Sequence, residues 1–239
     1  QEELACQFPD TPILRMDGDT ISAANSHEKI LERFEKDQIP VMIGTQMVTK
    51  GLDFENVTLV GVLDGDTMLY TPHYKAAEQT FSMIAQVIGR AGRGKHPGSA
   101  VIQTMTPEHA VIALAAKQDY EQFYQMEIQL RKLRMCPPFA QLFIVHFSGL
   151  YENHVRQSAD YFRSLVESAL SQESYSVLSV ILLGPTAEAI SKVNNLYRYQ
   201  LTLCGENSKT MRDMVSQVLI FFTKQKQSKG IGAFVDINH

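Results

Sequence analysis

Short apolar strands alternate with helical segments over the first 104 residues, and this alternation constrains the fold more than any other feature of the chain. The predicted strands are 13–16, 40–44, 57–63 and 99–104. Residues 26–36 form one of the intervening helices, with Ser26 as its N-cap and Ile30, Leu31 and Phe34 on its apolar face. This order predicts an α/β fold with a parallel sheet and right-handed crossovers. Ligands of such sheets bind beyond the carboxyl ends of the strands.

A second pattern follows the Pro-Pro-Phe sequence at 137–139, which ends a helical stretch at 107–135 that is interrupted near Asp119. We therefore predict two domains, residues 1–136 and residues 137–239. In the second, the predicted elements are strand 142–147, helix 154–170, strands 175–183 and 197–203, helix 208–222 and strand 231–237, with a turn at Gly184-Pro185. The order β-α-β-β-α-β is typical of a ferredoxin-like α+β domain.

Composition excludes several classes of protein. The net charge is −4, with 13 Lys and Arg against 18 Asp and Glu in residues 1–140 and 9 against 8 in residues 141–239. Any contact with nucleic acid must therefore be a local basic stripe. No apolar run approaches the roughly 20 residues of a membrane span, and there is no secretory signal. Cys6, Cys136 and Cys204 are widely spaced and odd in number, which indicates reduced thiols of a cytosolic protein and neither a zinc site nor a disulfide framework.

The sequence Gln-Val-Ile-Gly-Arg-Ala-Gly-Arg-Gly at 86–94 ends an amphipathic helix. Helical spacing predicts its buried face at Ala77, Phe81, Ile84 and Ile88. Gln86, Arg90 and Arg93 recur at i, i+4 and i+7, so one amide and two guanidinium groups share a stripe beside a glycine-rich bend. Planar guanidinium groups fixed at this spacing suit a polyphosphate. The alternative from the residues alone is an ordinary glycine C-cap with basic residues that complement the helix dipole.

A second polar string follows the predicted strand 40–44. Between Thr45 and Asp53 it carries a hydroxyl, an amide, the cation of Lys50 and the backbone of Gly51 on one loop. A loop at the carboxyl end of a parallel strand is placed to contact a ligand. The alternative is a solvated turn.

These two strings resemble motifs VI and V of superfamily 2 helicases, and 86–93 reads Gln-x-x-Gly-Arg-x-Gly-Arg. The resemblance implies that residues 1–136 are the second RecA-like lobe of a motor whose first lobe holds ATP. It implies that Gln86 approaches the γ-phosphate and that Arg90 and Arg93 are arginine fingers, which stabilise charge on the transferring phosphoryl group.

For motif V, the resemblance implies that Gly51 and Asp53 face the nucleotide, with Asp53 near the ribose. It also implies that Thr45 and Lys50 face a DNA phosphate. A hydroxyl and backbone N–H groups position a strand without reading its sequence.

Further strings narrow the resemblance to the primosomal protein N′ (PriA) family of bacterial replication-restart helicases. In order, they are Lys-Gln-Asp-Tyr at 117–120, Pro-Pro-Phe at 137–139, Leu-Gly-Pro at 183–185, Tyr-Arg-Tyr-Gln at 197–200 and Val-Asp-Ile at 235–237. The family implies an ATP-dependent 3′→5′ DNA helicase, cytoplasmic and associated with the bacterial nucleoid. Its cofactors are ATP with Mg²⁺, whose metal ligands lie on the first lobe, and zinc, whose cysteines this chain lacks.

The same resemblance implies the partners: forked and single-stranded DNA, the upstream helicase lobe, single-stranded DNA-binding protein, and primosome and helicase-loading proteins. Residues 137–239 would be the fork-binding domain. Lys192, Tyr197 and Arg198 flank its central hairpin and are the candidate DNA contacts. The hairpin reads Asn-Leu-Tyr-Arg-Tyr-Gln at 195–200, where family members often carry the more basic Arg-Tyr-Arg-Tyr-Gln.

The chain begins with Gln1 and contains no G-x-x-x-x-G-K-[ST] phosphate loop and no acidic metal-binding box. We therefore expect it to be a piece of a longer protein that is inactive by itself. Two other functions remain open from the sequence. One is a non-enzymatic module that binds DNA or protein, and the other is a different superfamily 2 translocase that remodels forks.

Overall fold

The computed structural model describes residues 1–16, 24–45, 56–91 and 97–238, with only the backbone at 24–27. The chain divides into two compact units, Gln1–Tyr124 and Gln125–His239. The first unit contains parallel strand pairs, and the second contains an antiparallel sheet. The predicted α/β character is therefore confirmed.

Helices and strands alternate in the first unit, as predicted. The elements are α1 (Glu2–Gln7), β1 (Ile13–Met16), α2 (Ala24–Lys36), β2 (Val41–Gly44), β3 (Leu59–Val62), a 3₁₀ turn (Thr67–Tyr70), α3 (Ala76–Ile88), β4 (Ser99–Ile102) and α4 (Ala110–Ala116). Strand β1 pairs in parallel with β2, and β3 pairs in parallel with β4. Helix α2 begins at Ala24, two residues before the predicted cap at Ser26.

The predicted helical stretch 107–135 forms two helices, α4 and α5 (Tyr120–Leu133). The predicted interruption near Asp119 is confirmed. Gln118 has a positive φ of 55°, which ends α4, and the Asp119 carboxylate accepts a hydrogen bond from the Gln122 amide at 3.0 Å. An aspartate that satisfies a free amide of the first helical turn is a favourable start for a helix.

Helix α3 is the centre of packing in the first unit. Its buried residues include Phe81 and Ile84, which are 4% and 0% exposed. The Phe81 ring stacks on Phe123 of α5, with centroids 4.2 Å apart and an interplanar angle of 15°. Residues Val111, Ile112, Leu114 and Ala115 of α4 are also buried. Because these side chains leave water together, their burial stabilises α3 through Ile84.

In the second unit, four strands form one antiparallel sheet with two helices on one face. After α5, the elements are β5 (Gln141–Gly149), α6 (Glu152–Leu170), β6 (Val180–Val193), β7 (Leu196–Gly205), α7 (Lys209–Thr223), a 3₁₀ turn (Lys226–Ser228) and β8 (Gly232–Ile237). The strand order is β6-β7-β5-β8. Burial alternates along β5, since successive side chains of a strand point to opposite faces of the sheet.

The core of this unit lies between the sheet and helices α6 and α7. Phe147 of β5, Phe162 of α6 and Phe222 of α7 meet edge to face, with ring centroids 5.3–5.8 Å apart. All three rings are at most 1% exposed. Such contacts add to the free energy gained from burying the rings.

The predicted turn at Gly184-Pro185 is wrong. Strand β6 continues through these residues to Val193, and the register against β7 shifts between Leu183 and Thr186. The chain turns instead at Asn194 and Asn195, whose φ values are 49° and 63°. Asparagine adopts positive φ more readily than most residues, which suits a two-residue hairpin turn. The Gly-Pro pair forms a bulge inside a strand, where Gly184 has a φ of 98°.

None of the helices in the described part of the chain is both long enough and apolar enough to cross a membrane.

Candidate nucleotide and nucleic-acid sites

The end of α3 presents two of the predicted nucleotide-site residues. Gln86 is exposed, and Arg90 lies one turn further on, half-buried. The helix ends at Ile88, and Gly89 keeps a right-handed backbone with a φ of −64°. The amides of Arg90 and Ala91 donate to the carbonyls of Val87 and Ile88 at 3.0 and 3.1 Å, so the last turn tightens without a left-handed glycine.

The close packing at Gly89 favours a residue without a side chain. A Cβ atom there would lie 3.3 Å from the Ala85 carbonyl oxygen and 3.7 Å from Nε2 of Gln118. Nε2 of Gln118 in turn donates to the Ala85 carbonyl at 3.5 Å. The loop before α5 therefore contacts the same turn of α3 that carries Gln86. Arg93, Gly92 and Gly94 lie outside the described residues.

Of the predicted motif V residues, the structure places Thr45. It follows the last residue of β2, Gly44, and is exposed. It therefore lies at the carboxyl end of a parallel strand, where ligands of such sheets bind. The other three predicted contacts, Lys50, Gly51 and Asp53, lie outside the described residues.

Asp66 joins the ends of β3 and β4. Its carboxylate accepts hydrogen bonds from the Met105 amide at 3.0 Å and from the Thr106 hydroxyl at 3.2 Å. Burial alone would raise the pKa of Asp66, but hydrogen bonds from Thr104, Met105 and Thr106 outweigh it and lower the pKa below the ordinary value. The Asp66 carboxylate therefore stabilises the loop that follows β4. Across the described ranges, no cluster of three or more His, Cys, Asp or Glu is placed to hold a metal ion.

The hairpin residues predicted to contact DNA lie on two different faces of the sheet. Tyr197 packs at the edge of the core, and Nζ of Lys192 lies 4.6 Å from its ring centroid. Arg198 is the next residue along β7 and points to the opposite face, where Nη2 lies 2.8 Å from Oε2 of Glu188. Lys192 and Tyr197 therefore form one surface together, and Arg198 forms part of another.

A charged network on the open face of the sheet was not predicted from the sequence. Nδ1 of His146 lies 2.7 Å from Oε1 of Glu188, and its Nε2 lies 3.5 Å from Oδ2 of Asp236. The imidazole also stacks on Phe234, with centroids 4.8 Å apart. Together with Arg198 of β7, these residues connect all four strands of the sheet. His146 is a residue of strand β5, and no metal-ligand arrangement involves it among the described residues.

The three cysteines are free thiols. Sγ of Cys204 is buried and donates to the Met135 carbonyl oxygen at 2.7 Å. Burial raises the pKa of Cys204, and the neighbouring Cys136 raises it further. Burial also raises the pKa of Cys136, although the charges of Arg134 and Arg131 oppose the increase. These thiols are thus less reactive than a free cysteine at neutral pH.

Comparison with known protein families defines the class of both parts of the chain. Residues 2–95 match the family model described as the helicase conserved C-terminal domain. Residues 132–238 match the model described as the primosomal protein N C-terminal domain. The α/β unit that contains α3 is therefore a helicase C-terminal domain.

The chain is also similar along its whole length to curated proteins named replication restart protein PriA. That of Bacillus subtilis is 35% identical over 238 residues, which cover 100% of this chain and 29% of the relative. That of Synechocystis is 36% identical over 200 residues, 84% of this chain and 23% of the relative. That of Chlamydia muridarum is 35% identical over 231 residues, 97% of this chain and 30% of the relative.

The chain belongs to the PriA family. It spans about 29% of the length of the Bacillus subtilis relative. Among solved structures, a de novo designed protein, Foldit4, aligns with 41% of this chain and 94% of its own at a TM-score of 0.30 and 14% identity, a likeness too weak to carry an argument.

Proposed function

We propose that this chain is the C-terminal part of an ATP-dependent 3′→5′ DNA helicase that restarts stalled replication forks. The observation that carries the proposal is the end of α3. A helix held by buried Phe81 and Ile84 presents Gln86 and Arg90 inside the region that matches the helicase conserved C-terminal domain. A rigid support of this kind is what a group needs if it is to act on a transition state.

The proposed nucleotide site is shared between this lobe and a lobe upstream of it. Gln86 contacts the γ-phosphate, Arg90 and Arg93 stabilise the developing negative charge, and Gly51 and Asp53 contact the rest of the nucleotide. An amide and two guanidinium groups fit phosphate oxygens, because the N–H groups of both donate hydrogen bonds. When bound, ATP with Mg²⁺ supplies the phosphoanhydride whose hydrolysis drives movement. The Mg²⁺ ligands belong to the upstream lobe, and the family's zinc site lies outside this chain.

We propose the domain limits as residues 1–136, a RecA-like second lobe, and residues 137–239, a ferredoxin-like domain that binds forked DNA. The parallel pairing of β1 with β2 and of β3 with β4 supports the first assignment. The element order β-α-β-β-α-β and the strand order β6-β7-β5-β8 support the second.

The proposed DNA contacts are Thr45 and Lys50 on the lobe, and Lys192, Tyr197 and Arg198 on the hairpin. The exposed ammonium of Lys192 is the most accessible of the hairpin groups. Arg198 must exchange its ion pair with Glu188 for a phosphate, which weakens its net contribution. The remaining proposed partners are single-stranded DNA-binding protein and the primosome and helicase-loading proteins, in the cytoplasm of a bacterium and at its nucleoid.

Strand displacement by the intact protein tests the proposal. With a forked substrate that carries a 3′ leading-strand end, we expect ATP-dependent unwinding in the 3′→5′ direction, and faster than on a fork without that end. Fork binding without any ATP-dependent unwinding would indicate a non-enzymatic binding module. Unwinding that ignores the leading-strand end would indicate a different fork-remodelling translocase.

A further inference from the structure

A short basic segment follows α7. We call Lys224–Lys229 the lysine loop. Its three lysines, Lys224, Lys226 and Lys229, are all exposed, and no acidic residue lies between Thr223 and Val235. The loop therefore concentrates three positive charges in six residues of a chain whose net charge is −4. This is the kind of local basic stripe that a contact with nucleic acid requires in an acidic protein.

The backbone of the lysine loop is held by hydrogen bonds from α6 and by one within the loop. The Ser158 hydroxyl of α6 donates to the Gln227 carbonyl at 2.8 Å, and Nε2 of His154 lies 3.2 Å from the same oxygen. Ser228 is 6% exposed, and its hydroxyl donates to the Gln225 carbonyl at 2.8 Å. The loop thus points its lysines outward from an ordered turn, so a ligand need not order the backbone when it binds.

The turn also brings its lysines close together. The Lys229 amide donates to the Lys226 carbonyl at 3.2 Å, so these two stems leave the same turn. Duplex DNA carries one negative charge per about 1.7 Å of its axis. Three ammonium groups within six residues therefore suit several neighbouring phosphates.

The three lysines are available to pair with the negative charges of a partner. In the part of the chain that the structure describes, none of them forms an ion pair. Several carboxylates of the same unit are already engaged elsewhere. Glu152 accepts from the Tyr199 hydroxyl, Glu167 pairs with Arg163, and Glu188 and Asp236 face His146.

We propose that the lysine loop binds the sugar–phosphate backbone of DNA, an inference that rests on the DNA binding proposed above and gives it a site. The loop carries flexible ammonium groups and no aromatic side chain. Its lysine ammonium groups act as point charges on phosphates, which carry no sequence information, and the loop has no aromatic ring to stack on bases. The contact is electrostatic and independent of sequence.

The salt dependence of DNA binding by the 239-residue chain tests the proposal. Fluorescence anisotropy would be measured with labelled duplex, single-stranded and forked DNA between about 50 and 200 mM salt. The test variant carries Lys224→Gln, Lys226→Gln and Lys229→Gln. The control carries Lys132→Gln, Arg134→Gln and Lys209→Gln, which remove the same charge from exposed positions of α5 and α7 and the residues that follow α5.

Each phosphate neutralised contributes about −0.9 to the slope of log K against log salt on duplex DNA and about −0.7 on a single strand. We expect the test variant to reduce the steepness of the slope by about 2 to 3 and the control to leave it nearly unchanged. Comparing the loss of slope on duplex DNA with the loss on single-stranded DNA shows which of the two forms the loop contacts. Both variants change exposed residues, so circular dichroism melting should show no loss of fold.

The remaining outcomes overturn the proposal in different ways. If wild-type chain binds DNA and the test variant keeps its slope, the loop is not the contact, whereas the proposed DNA binding stands. If the test and control variants lose affinity equally, the overall charge of the chain attracts the DNA and the loop has no special role. If the wild-type chain binds no DNA at all, both the loop and the proposed DNA-binding tail are wrong.

Discussion

Replacing Arg93 by alanine is expected to lower DNA-stimulated ATP hydrolysis by about 10³–10⁵-fold in a protein that carries this chain and its upstream lobe. The guanidinium of an arginine finger acts on charge that develops only as the phosphoryl group transfers. Its loss therefore lowers kcat and leaves nucleotide binding nearly intact. Arg90→Ala is expected to act in the same direction, because Arg90 follows Gln86 by one helical turn on the same stripe. Steady-state hydrolysis with saturating DNA measures both effects.

Two further variants sharpen this experiment. Arg93→Lys keeps the positive charge but loses the planar fork, so most of the activity should still be lost. Arg33→Ala is the matched control. Arg33 lies on α2, its side chain is 67% exposed, and it forms a long ion pair with Asp37 at 3.6 Å. Its removal should leave the rate unchanged. A rate for Arg93→Ala within a factor of two of wild type would show that this arginine does not complete the ATP site.

Phe222→Ala is expected to have the largest effect on stability, a loss of about 3–5 kcal/mol in the free energy of unfolding of the second unit. Phe222 is 0% exposed and meets both Phe147 and Phe162 edge to face. Truncation removes the buried ring and leaves a cavity between the sheet and both helices. Urea denaturation of the chain, followed by circular dichroism, measures the loss.

The neighbouring residue provides the control. Phe221 is the adjacent phenylalanine of α7, but its side chain is 51% exposed. Phe221→Ala should change the free energy of unfolding by no more than about 0.5 kcal/mol. Equal losses from the two variants would contradict the position of α7 against the sheet.

The sequence predicted those features whose signals are local. Apolar spacing identified the buried side of α3, and Phe81 and Ile84 are indeed its most enclosed large residues. The break near Asp119 could be predicted because aspartate is favoured at the start of a helix. Its carboxylate accepts a hydrogen bond from a backbone amide three residues later, here that of Gln122. Parallel pairing followed from the alternation of strands and helices, which leaves each strand only a crossover connection to the next.

Features that depend on contacts between distant residues were not predicted. His146 meets Glu188, 42 residues away in the chain, and Asp236 on β8. No spacing rule in the sequence connects these positions, because β5, β6 and β8 come together only when the sheet folds. The ion pair of Arg198 was missed for the same reason. At Gly184-Pro185 the local signal itself was misleading, since a bulge and a turn favour the same residue types.

The residues of the candidate ATP site also fall into two groups, those that the structure places and those that it does not describe. Gln86 and Arg90 were predicted from their helical stripe, and the structure places both at the end of α3. Lys50, Gly51, Asp53 and Arg93 lie outside the described residues, so their roles stay predictions from the motif resemblance. The hydrogen bonds that hold the lysine loop join residues about 70 positions apart, and Ser158 gave no sign of them in the sequence.

ATP hydrolysis by the 239-residue chain alone, compared with the same chain joined to its upstream lobe, tests the shared nucleotide site most directly. The chain carries the proposed phosphate contacts but no G-x-x-x-x-G-K-[ST] loop. We expect no DNA-stimulated hydrolysis above the rate in buffer for the chain alone, and restored hydrolysis once the lobes are joined. Robust hydrolysis by the chain alone would contradict a site divided between two lobes.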